Sequence, residues 1–345
     1  MDLVRSEAAG LYCPPGDFYI DPWRPVERAV VTHAHSDHAT SGHRHYLISA
    51  EGEHVTRRRV GAAANLQLLA YGEAISINGV RVSLHPAGHV LGSAQVRLEY
   101  DGETWVVSGD YKTQADPTCS AFEAVRCDVF ITESTFGLPI YRWRDPRALL
   151  DEVSAWWAAN RAAGQASVIY AYALGKAQRV LLGVDASIGP IYTHGAVEAL
   201  NEAYRASGVM LPATRRVSDT ARGHDFSGSL IVATPAAQST PWLRRFGDYA
   251  DAFASGWMQI RGVRRRRAVD RGFALSDHAD WPGLLSAIEA SGARRVLVTH
   301  GYSEPLVRWL NERGLAAATL RTEFAGEEGG VEDASSGEQA GKAAQ

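Results

Sequence analysis

Apolar and polar positions change over in short runs along the first 140 residues and then settle into a longer rhythm. Residues 11–22 read as a hairpin: Leu11-Tyr12-Cys13, a Pro14-Pro15-Gly16-Asp17 turn, then Phe18-Tyr19-Ile20-Asp21. Arg28-Ala29-Val30-Val31 reads as a buried strand. Residues 53–70, with Val60, Ala64, Leu66, Leu68 and Leu69 inward, predict a helix. Short alternating strands are expected at 74–77, 80–84, 94–100 and 104–107, and an apolar strand at 129–132 that ends on Glu133.

The rhythm changes after about Gly137. Asp145-Pro146 opens a helix carrying Leu149, Leu150, Val153, Trp156 and Trp157, with proline in its first turn. Strands at 167–171, 191–192 and 229–233 then alternate with helices at 176–184, 197–205 and near 238–246, the pattern of a small parallel α/β unit. Beyond Arg267 come a strand at 273–275, a helix at 281–290, a strand at 295–299, a helix through Leu310 and a last strand near 317–321. The expected division is 1–138, an insert 139–267, a completing part 268–322, and a disordered tail 323–345 in which only Gly, Glu, Ala, Ser and Gln recur.

Composition narrows the class. At 345 residues and 46% hydrophobic, the chain can bury one large core or two modest ones. No apolar run approaches the ~18–20 residues that span a bilayer, and Met1–Glu7 lacks the basic-then-apolar order of a secretory signal. Cys13, Cys119 and Cys127 are odd in number, without paired metal spacing, and read as small buried hydrophobes in a reducing cytoplasm. A net charge of −4 means that any nucleic-acid contact must come from local patches. Arg57-Arg58-Arg59 and Arg264-Arg265-Arg266-Arg267 are such patches; each reads equally as a solvated face.

The candidate chemistry starts at Thr32-His33-Ala34-His35-Ser36-Asp37-His38, directly after the Val30-Val31 strand. Three imidazoles and a carboxylate within six positions form a ligand set for divalent metals. The alternative is a solvated His-rich turn. In an extended segment His33 and His35 point the same way, while Asp37 and His38 turn toward a second position. Three further strand ends or loops carry ligand-type residues: His89 between Gly88 and Gly92, Asp110 after Val106-Val107-Ser108-Gly109, and His300 after Val296-Leu297-Val298-Thr299. His85 reads as a polar neighbour, and Asp110 taken alone as a turn residue. The balanced assignment gives one metal His33, His35, His89 and Asp110, and the other Asp37, His38, Asp110 and His300. Such a pair generates hydroxide near neutral pH and clamps phosphoryl oxygens. Asp21, at the end of its strand, is placed to orient a ligating imidazole through its outer nitrogen.

Asp21, the His33–His38 stretch, His89, Asp110 and His300, in that order, resemble the metallo-β-lactamase superfamily. The resemblance implies an αβ/βα four-layer sandwich with the dimetal site at one edge. Ile131-Thr132-Glu133-Ser134-Thr135-Phe136-Gly137 and Leu275-Ser276-Asp277-His278-Ala279-Asp280, either side of the insert, are similar to motifs of the β-CASP branch, whose members act on nucleic acids. Glu133 matches its first added motif, His278 its second and His300 its third. The resemblance implies two divalent ions, zinc or manganese, and catalytic roles for Asp37, Glu133 and His278. His278 holds or protonates a phosphate or leaving oxygen, and Glu133 orients it. The plain alternatives are a helix cap for Glu133 and a surface loop for His278. Ala173-Leu174-Gly175-Lys176-Ala177-Gln178-Arg179 also looks like a family stretch. There Lys176, at a Gly-led helix start, reads as a phosphate contact or as an ordinary strand-to-helix turn.

The stretches Leu11–Trp23 and Asp277–Trp281 resemble bacterial DNA-ligase-associated exonucleases. That resemblance implies a DNA-repair role on a single strand or duplex end, beside an ATP-dependent DNA ligase and a helicase. His300 departs from Artemis-type DNA nucleases and agrees with RNA-cleaving members, so RNA 3′-end processing or decay stands as the alternative. An inactive binding subunit of a repair complex is the third reading, although every ligand position is filled.

Overall fold

The computed structural model describes residues 2–323. Two sheets carry the first part of the chain. The first has six strands in chain order: Arg5–Glu7, Gly10–Cys13, Phe18–Ile20, Arg28–Val30, His45–Ser49 and Leu66–Leu69. It is antiparallel up to Phe18–Ile20 and parallel beyond. The second has seven strands, in the order Ala316–Thr319, Arg295–Val298, Val129–Thr132, Glu103–Val107, Ala94–Tyr100, Val80–Pro86, Ala74–Ile77. Its first four are parallel and the rest antiparallel.

The period of two along each strand decides how the sheets stack. Leu11, Phe18, Ile20, Val30 and Leu47 of the first sheet pack on Val82, Leu84, Val96, Leu98, Val107, Ile131 and Leu297 of the second. The intervening residues face outward and need covers. Ala29, Val31, Tyr46 and Ile48 meet Val60 of the helix Glu53–Val60. Val106, Phe130, Val296 and Val298 meet the helices Trp281–Ser291 and Ser303–Asn311 through Trp281, Ile288, Leu306 and Leu310. The result is a helix–sheet–sheet–helix stack.

Val129–Thr132 and Arg295–Val298 are adjacent parallel strands, yet some 160 residues separate them in the chain. What lies between builds a third, all-parallel sheet, in the order Arg215–Arg216, Ile191–Thr193, Leu230–Ala233, Ala166–Tyr170, Tyr249–Ala254, Arg271–Phe273. One face packs on the helices Pro146–Ala162 and Lys176–Gly183, with Trp156, Trp157 and Val180 buried against Ile169 and Val232. Asp145 starts the first of these helices by accepting from the backbone N–H groups of Arg147 and Ala148.

Two expected helices are corrected, and one strand was not foreseen. The helix expected over 53–70 stops at Val60, because Gly61 takes φ +108°; residues 66–69 are an edge strand on His45–Ser49, with Leu68 exposed. Residues 238–246 are not an α-helix. Pro235 and Pro241 open two short 3₁₀ segments, Pro235–Ala237 and Pro241–Phe246. Tyr249–Ala254 is a strand beside the centre of the third sheet, hidden in the sequence because Asp251 interrupts an otherwise small and apolar run. Arg271–Phe273, past the boundary expected at 268, pairs with Tyr249–Ala254 in the third sheet. The tail expected from 323 lies, past that residue, outside the described residues. Among the described residues no helix is long and apolar enough to cross a membrane.

Candidate metal centre

The residues singled out in the sequence come from strand ends along one edge of the two stacked sheets. The stretch after Arg28–Val30 is pinned first. Asp21 accepts from the Thr32 backbone N–H at 2.7 Å and from its hydroxyl at 2.6 Å. Asp110 then arrives on the tip of Glu103–Val107 through Gly109, at φ +55°. A Cβ at Gly109 would fall 2.7 Å from Thr32 Cβ, so only glycine lets the two tips approach this closely.

Four donors meet here. His33, His35, His89 and Asp110 each offer one ligand atom, and these atoms lie within 4.8 Å of one another. His35 Nδ1 is 3.1 Å from His33 Nε2 and 3.0 Å from His89 Nε2. Asp110 Oδ2 lies 3.5 Å from His33 Nε2 and 3.8 Å from His89 Nε2. The outer nitrogens decide which atoms face inward. The Thr32 hydroxyl gives its proton to Asp21, so toward His33 Nδ1, at 3.0 Å, it accepts. His89 Nδ1 donates to the Asp277 carbonyl at 2.9 Å, and His35 Nε2 to the Leu174 carbonyl at 3.3 Å. With the N–H on the outside, the neutral rings turn three lone pairs toward each other and toward a carboxylate. Three acceptors and an anion at hydrogen-bond separation repel unless a cation sits among them, and N/O donors of this kind suit zinc or manganese. The donor set therefore fits a divalent ion.

The second proposed set forms a chain of contacts. His38 Nδ1 donates to Asp21 Oδ2 at 2.7 Å. Its buried Nε2 is 3.4 Å from Asp110 Oδ2 and 3.6 Å from Asp37 Oδ2. His300, at φ +49°, stacks its ring 5.6 Å from that of His38. Its Nδ1 meets the Thr299 hydroxyl at 2.9 Å, and that hydroxyl donates to Thr132 O, so His300 also turns an unprotonated Nε2 outward from its cap. Asp21, Asp37, His38 and His300 line a small cavity of about 30 Å³ beside these groups.

Electrostatics agrees with this division. Burial, with help from neighbouring imidazoles, holds His33 well below its ordinary pKa and His89 at about 3, so both stay neutral. Burial also pulls His38 down, but the carboxylates of Asp110, Asp37 and Asp21 outweigh it and hold that ring well above its ordinary value. Positive charge is favoured at His38 Nε2, whether a proton or a cation carries it. Burial raises Asp110, and the surrounding imidazoles, His38 foremost, more than reverse this and keep it ionised.

Glu133 and His278 join the same wall. Glu133 accepts from the Tyr111 backbone N–H at 2.8 Å, and both its oxygens lie 3.0 Å from His278 Nδ1. Glu133 is therefore not a helix cap, and His278 is buried, not a surface loop residue. The rings of His278 and His89 are 4.5 Å apart, and Asp110, Glu133 and His278 can bring one donor atom each within 4.8 Å.

The phosphate contacts fare differently. Lys176 is 0% exposed, and its Nζ is 2.7 Å from Asp277 Oδ1, so this structure withholds it from a nucleic-acid backbone; the stretch is a strand-to-helix turn committed to the interior. Arg264, Arg265 and Arg266 are exposed on the helix Arg261–Arg267, while Arg267 stacks over Phe253, 4.5 Å from its ring centre. His85 bonds Glu123 and Ser83 away from the cluster. The roles of Thr32 and Thr299 were not read from the sequence, although the signal was there: each precedes a candidate ligand as Thr-His at a strand end, and each fixes the tautomer of that histidine.

No protein-family model matches the chain. A protein from Opitutus terrae named as a probable DNA ligase is 32% identical over 312 residues, 89% of this chain and 30% of that protein. The endoribonuclease YSH1 of Gibberella zeae is 33% identical over 125 residues, 35% of this chain and 14% of the enzyme. The chain thus spans less than a third of either relative. A crystal structure of a protein of unknown function from Enterococcus faecalis V583 superposes with a TM-score of 0.59 at 12% identity, covering 87% of this chain and 80% of that one, a likeness of fold alone.

Proposed function

This chain belongs to the β-CASP branch of the metallo-β-lactamase superfamily, and from that premise we propose that it is a dimetal-dependent nuclease hydrolysing phosphodiester bonds of DNA, an exonuclease in ligase-associated repair. The observation that carries the proposal is the set of inward lone pairs of His33, His35 and His89 converging on Asp110. In this reading the helix–sheet–sheet–helix stack is the αβ/βα sandwich, and the third sheet is the β-CASP domain. The metal ligands are His33, His35, Asp37, His38, His89, Asp110 and His300. Divalent ions held there supply a water of lowered pKa and positive charge for the phosphoryl oxygens. The chain's own residues do the rest. Asp21, Thr32 and Thr299 hold three imidazoles in the ligating tautomer. Glu133 takes the Nδ1–H of His278, and with a second proton on Nε2 the ring can donate to a phosphoryl oxygen or pass that proton to the leaving oxygen. Asp37, beside His38 Nε2, is placed to orient the attacking water as well as to ligate. Exposed Arg264, Arg265 and Arg266 are the proposed backbone contacts.

DNA is preferred because the match that runs through 312 residues is to a protein named for DNA ligation, with a ligase and a helicase as the proposed partners. The shorter match to a named endoribonuclease favours RNA processing as the second reading. Purified chain incubated with matched end-labelled single- and double-stranded DNA and RNA, with zinc and manganese in turn, separates the two. Stepwise shortening of DNA is expected, faster than of RNA. Faster RNA cleavage selects the second reading, and no cleavage with either metal contradicts both.

A further inference from the structure

The two carbonyls that fix His35 and His89 do not belong to the sheets that carry these histidines. Leu174 lies in the turn between the inserted strand Ala166–Tyr170 and the inserted helix Lys176–Gly183. Asp277 lies on the segment by which the chain leaves the inserted strand Arg271–Phe273. Seating of the inserted unit therefore sets the outer partner of two of the four donors.

Three buried basic side chains hold that seating, with burial and the neighbouring Arg179 holding the Lys112 amine well below its ordinary pKa. The Ser276 carbonyl accepts from Lys112 Nζ at 2.8 Å and from Arg179 Nη1 at 2.5 Å. The Asp277 carboxylate takes Lys176 at 2.7 Å, and Arg179 Nε reaches Asp116 Oδ2 at 2.9 Å. Lys176 and Arg179 come from the insert, and Lys112 and Asp116 from the segment just past Asp110. Exposures of 0%, 2% and 3% for Lys176, Lys112 and Arg179 place the whole network out of water. Gly175 closes the contact: at φ +87° a Cβ there would fall 2.5 Å from Val90 Cγ1 and 3.1 Å from Asp277 Oδ2. A buried ion costs several kcal/mol to desolvate, and apolar side chains would join two units at lower cost. What the charges add is direction. They bond the Ser276 carbonyl and the Asp277 carboxylate, next to the carbonyl that takes His89 Nδ1.

We propose that the inserted unit is a structural part of the metal centre, with Lys112, Lys176 and Arg179 as positioning residues that aim the Leu174 and Asp277 carbonyls at His35 and His89. The inference rests on the metal reading given above. Its consequence is that metal affinity depends on how the insert is seated.

The test uses the full chain, with zinc affinity read by competition with a chromogenic chelator, ligand geometry by the d–d absorption of cobalt(II), and folding by circular dichroism. Arg179→Met and the double variant Lys176→Met/Asp277→Asn are compared with Arg179→Lys. The double variant removes both members of a buried pair, so no charge is left stranded and stability is largely kept. Zinc affinity is expected to fall about 10- to 100-fold in Arg179→Met and in the double variant, as for outer partners of ligating histidines generally, with an altered cobalt spectrum. Arg179→Lys, which keeps the charge and fewer donors, should recover part of both. If Arg179→Met fails to fold, Arg179→Lys and the double variant decide. Folded variants with wild-type affinity and spectrum overturn the inference and leave the metal reading intact. A wild-type chain that takes up neither zinc nor cobalt overturns both.

Discussion

Two buried polar clusters adjoin each other in this molecule, and they are built on opposite rules. Around Lys112, Asp116, Lys176, Arg179 and Asp277 basic N–H donors meet carboxylates and carbonyls, so donors and acceptors complete one another. Around His33, His35, His89 and Asp110 acceptors face acceptors, with every imidazole proton drawn to the outside by Thr32, Leu174 or Asp277. The first cluster is a strut, complete within the polypeptide. The second is a socket whose donors fit a cation. Burial alone does not separate them, since both are out of water apart from the half-buried His35; the direction of the hydrogen bonds does.

That contrast is sharpest when one member of each is removed. Asp110→Ala takes away the anion to which three imidazoles are turned. Since losing an outer partner already costs about 10- to 100-fold, losing the shared carboxylate is expected to cost more than about 100-fold in cleavage and to empty the site in a metal assay, with the protein still folded. Undiminished cleavage by Asp110→Ala would break the account. His278→Ala comes next. A positioned acid contributes about 10²–10⁴-fold, so cleavage should fall within that range while bound metal is unchanged; loss of metal instead would move His278 from the chemistry into the socket.

In the strut the effect appears as stability. Asp116→Ala leaves Arg179 buried with one partner fewer and is expected to cost about 3–5 kcal/mol in denaturant unfolding, whereas Asp110→Ala in metal-free protein should cost less, because relief of the crowding at His33 and His89 offsets the lost attraction to His38. Equal losses would erase the distinction. Titration gives a smaller, graded effect. Burial holds His43, outside both clusters, at about 4, with its Nδ1 accepting from the Val26 N–H. Above pH 6.5 it is neutral in both folded and unfolded chains and contributes nothing. Between about 6.5 and 4 the unfolded chain binds a proton that the folded chain refuses, so stability falls as pH falls, by about 1.4 kcal/mol per unit. His89, at about 3, adds the same sign in metal-free protein. Zinc should steepen the acid loss from the socket through proton competition, while His43→Asn removes only its own part. The smallest effect is expected on the surface: neutralising Arg264, Arg265 and Arg266 should lower the log–log salt slope of DNA binding by about 0.7–0.9 per lost phosphate contact. An unchanged slope returns them to a solvated face.

Much of the socket was legible because its donors sit in short, local patterns. His33, His35, Asp37 and His38 are nearly contiguous, and Asp110 and His300 each end an apolar strand, so the period of two places them at one edge. The strut was not legible. Lys176 looked like a phosphate contact because a Gly-led helix start is the same in sequence whether it faces solvent or a buried Asp277 more than 100 residues away. Backbone carbonyls carry no sequence mark at all, and it is Leu174 O and Asp277 O that choose the tautomers. In the fold, Gly61 and the prolines at 235 and 241 overrode helical spacing at 66–69 and 238–246, where apolar residues alone left strand, turn and helix undecided.

The most direct measurement is a crystal of the full chain grown with zinc or manganese, with diffraction collected at the metal absorption edge. An anomalous peak among His33 Nε2, His35 Nδ1, His89 Nε2 and Asp110 Oδ2 is the predicted result, with a second beside His38 Nε2. A well-ordered map with these side chains in place and no anomalous density between them would contradict the account.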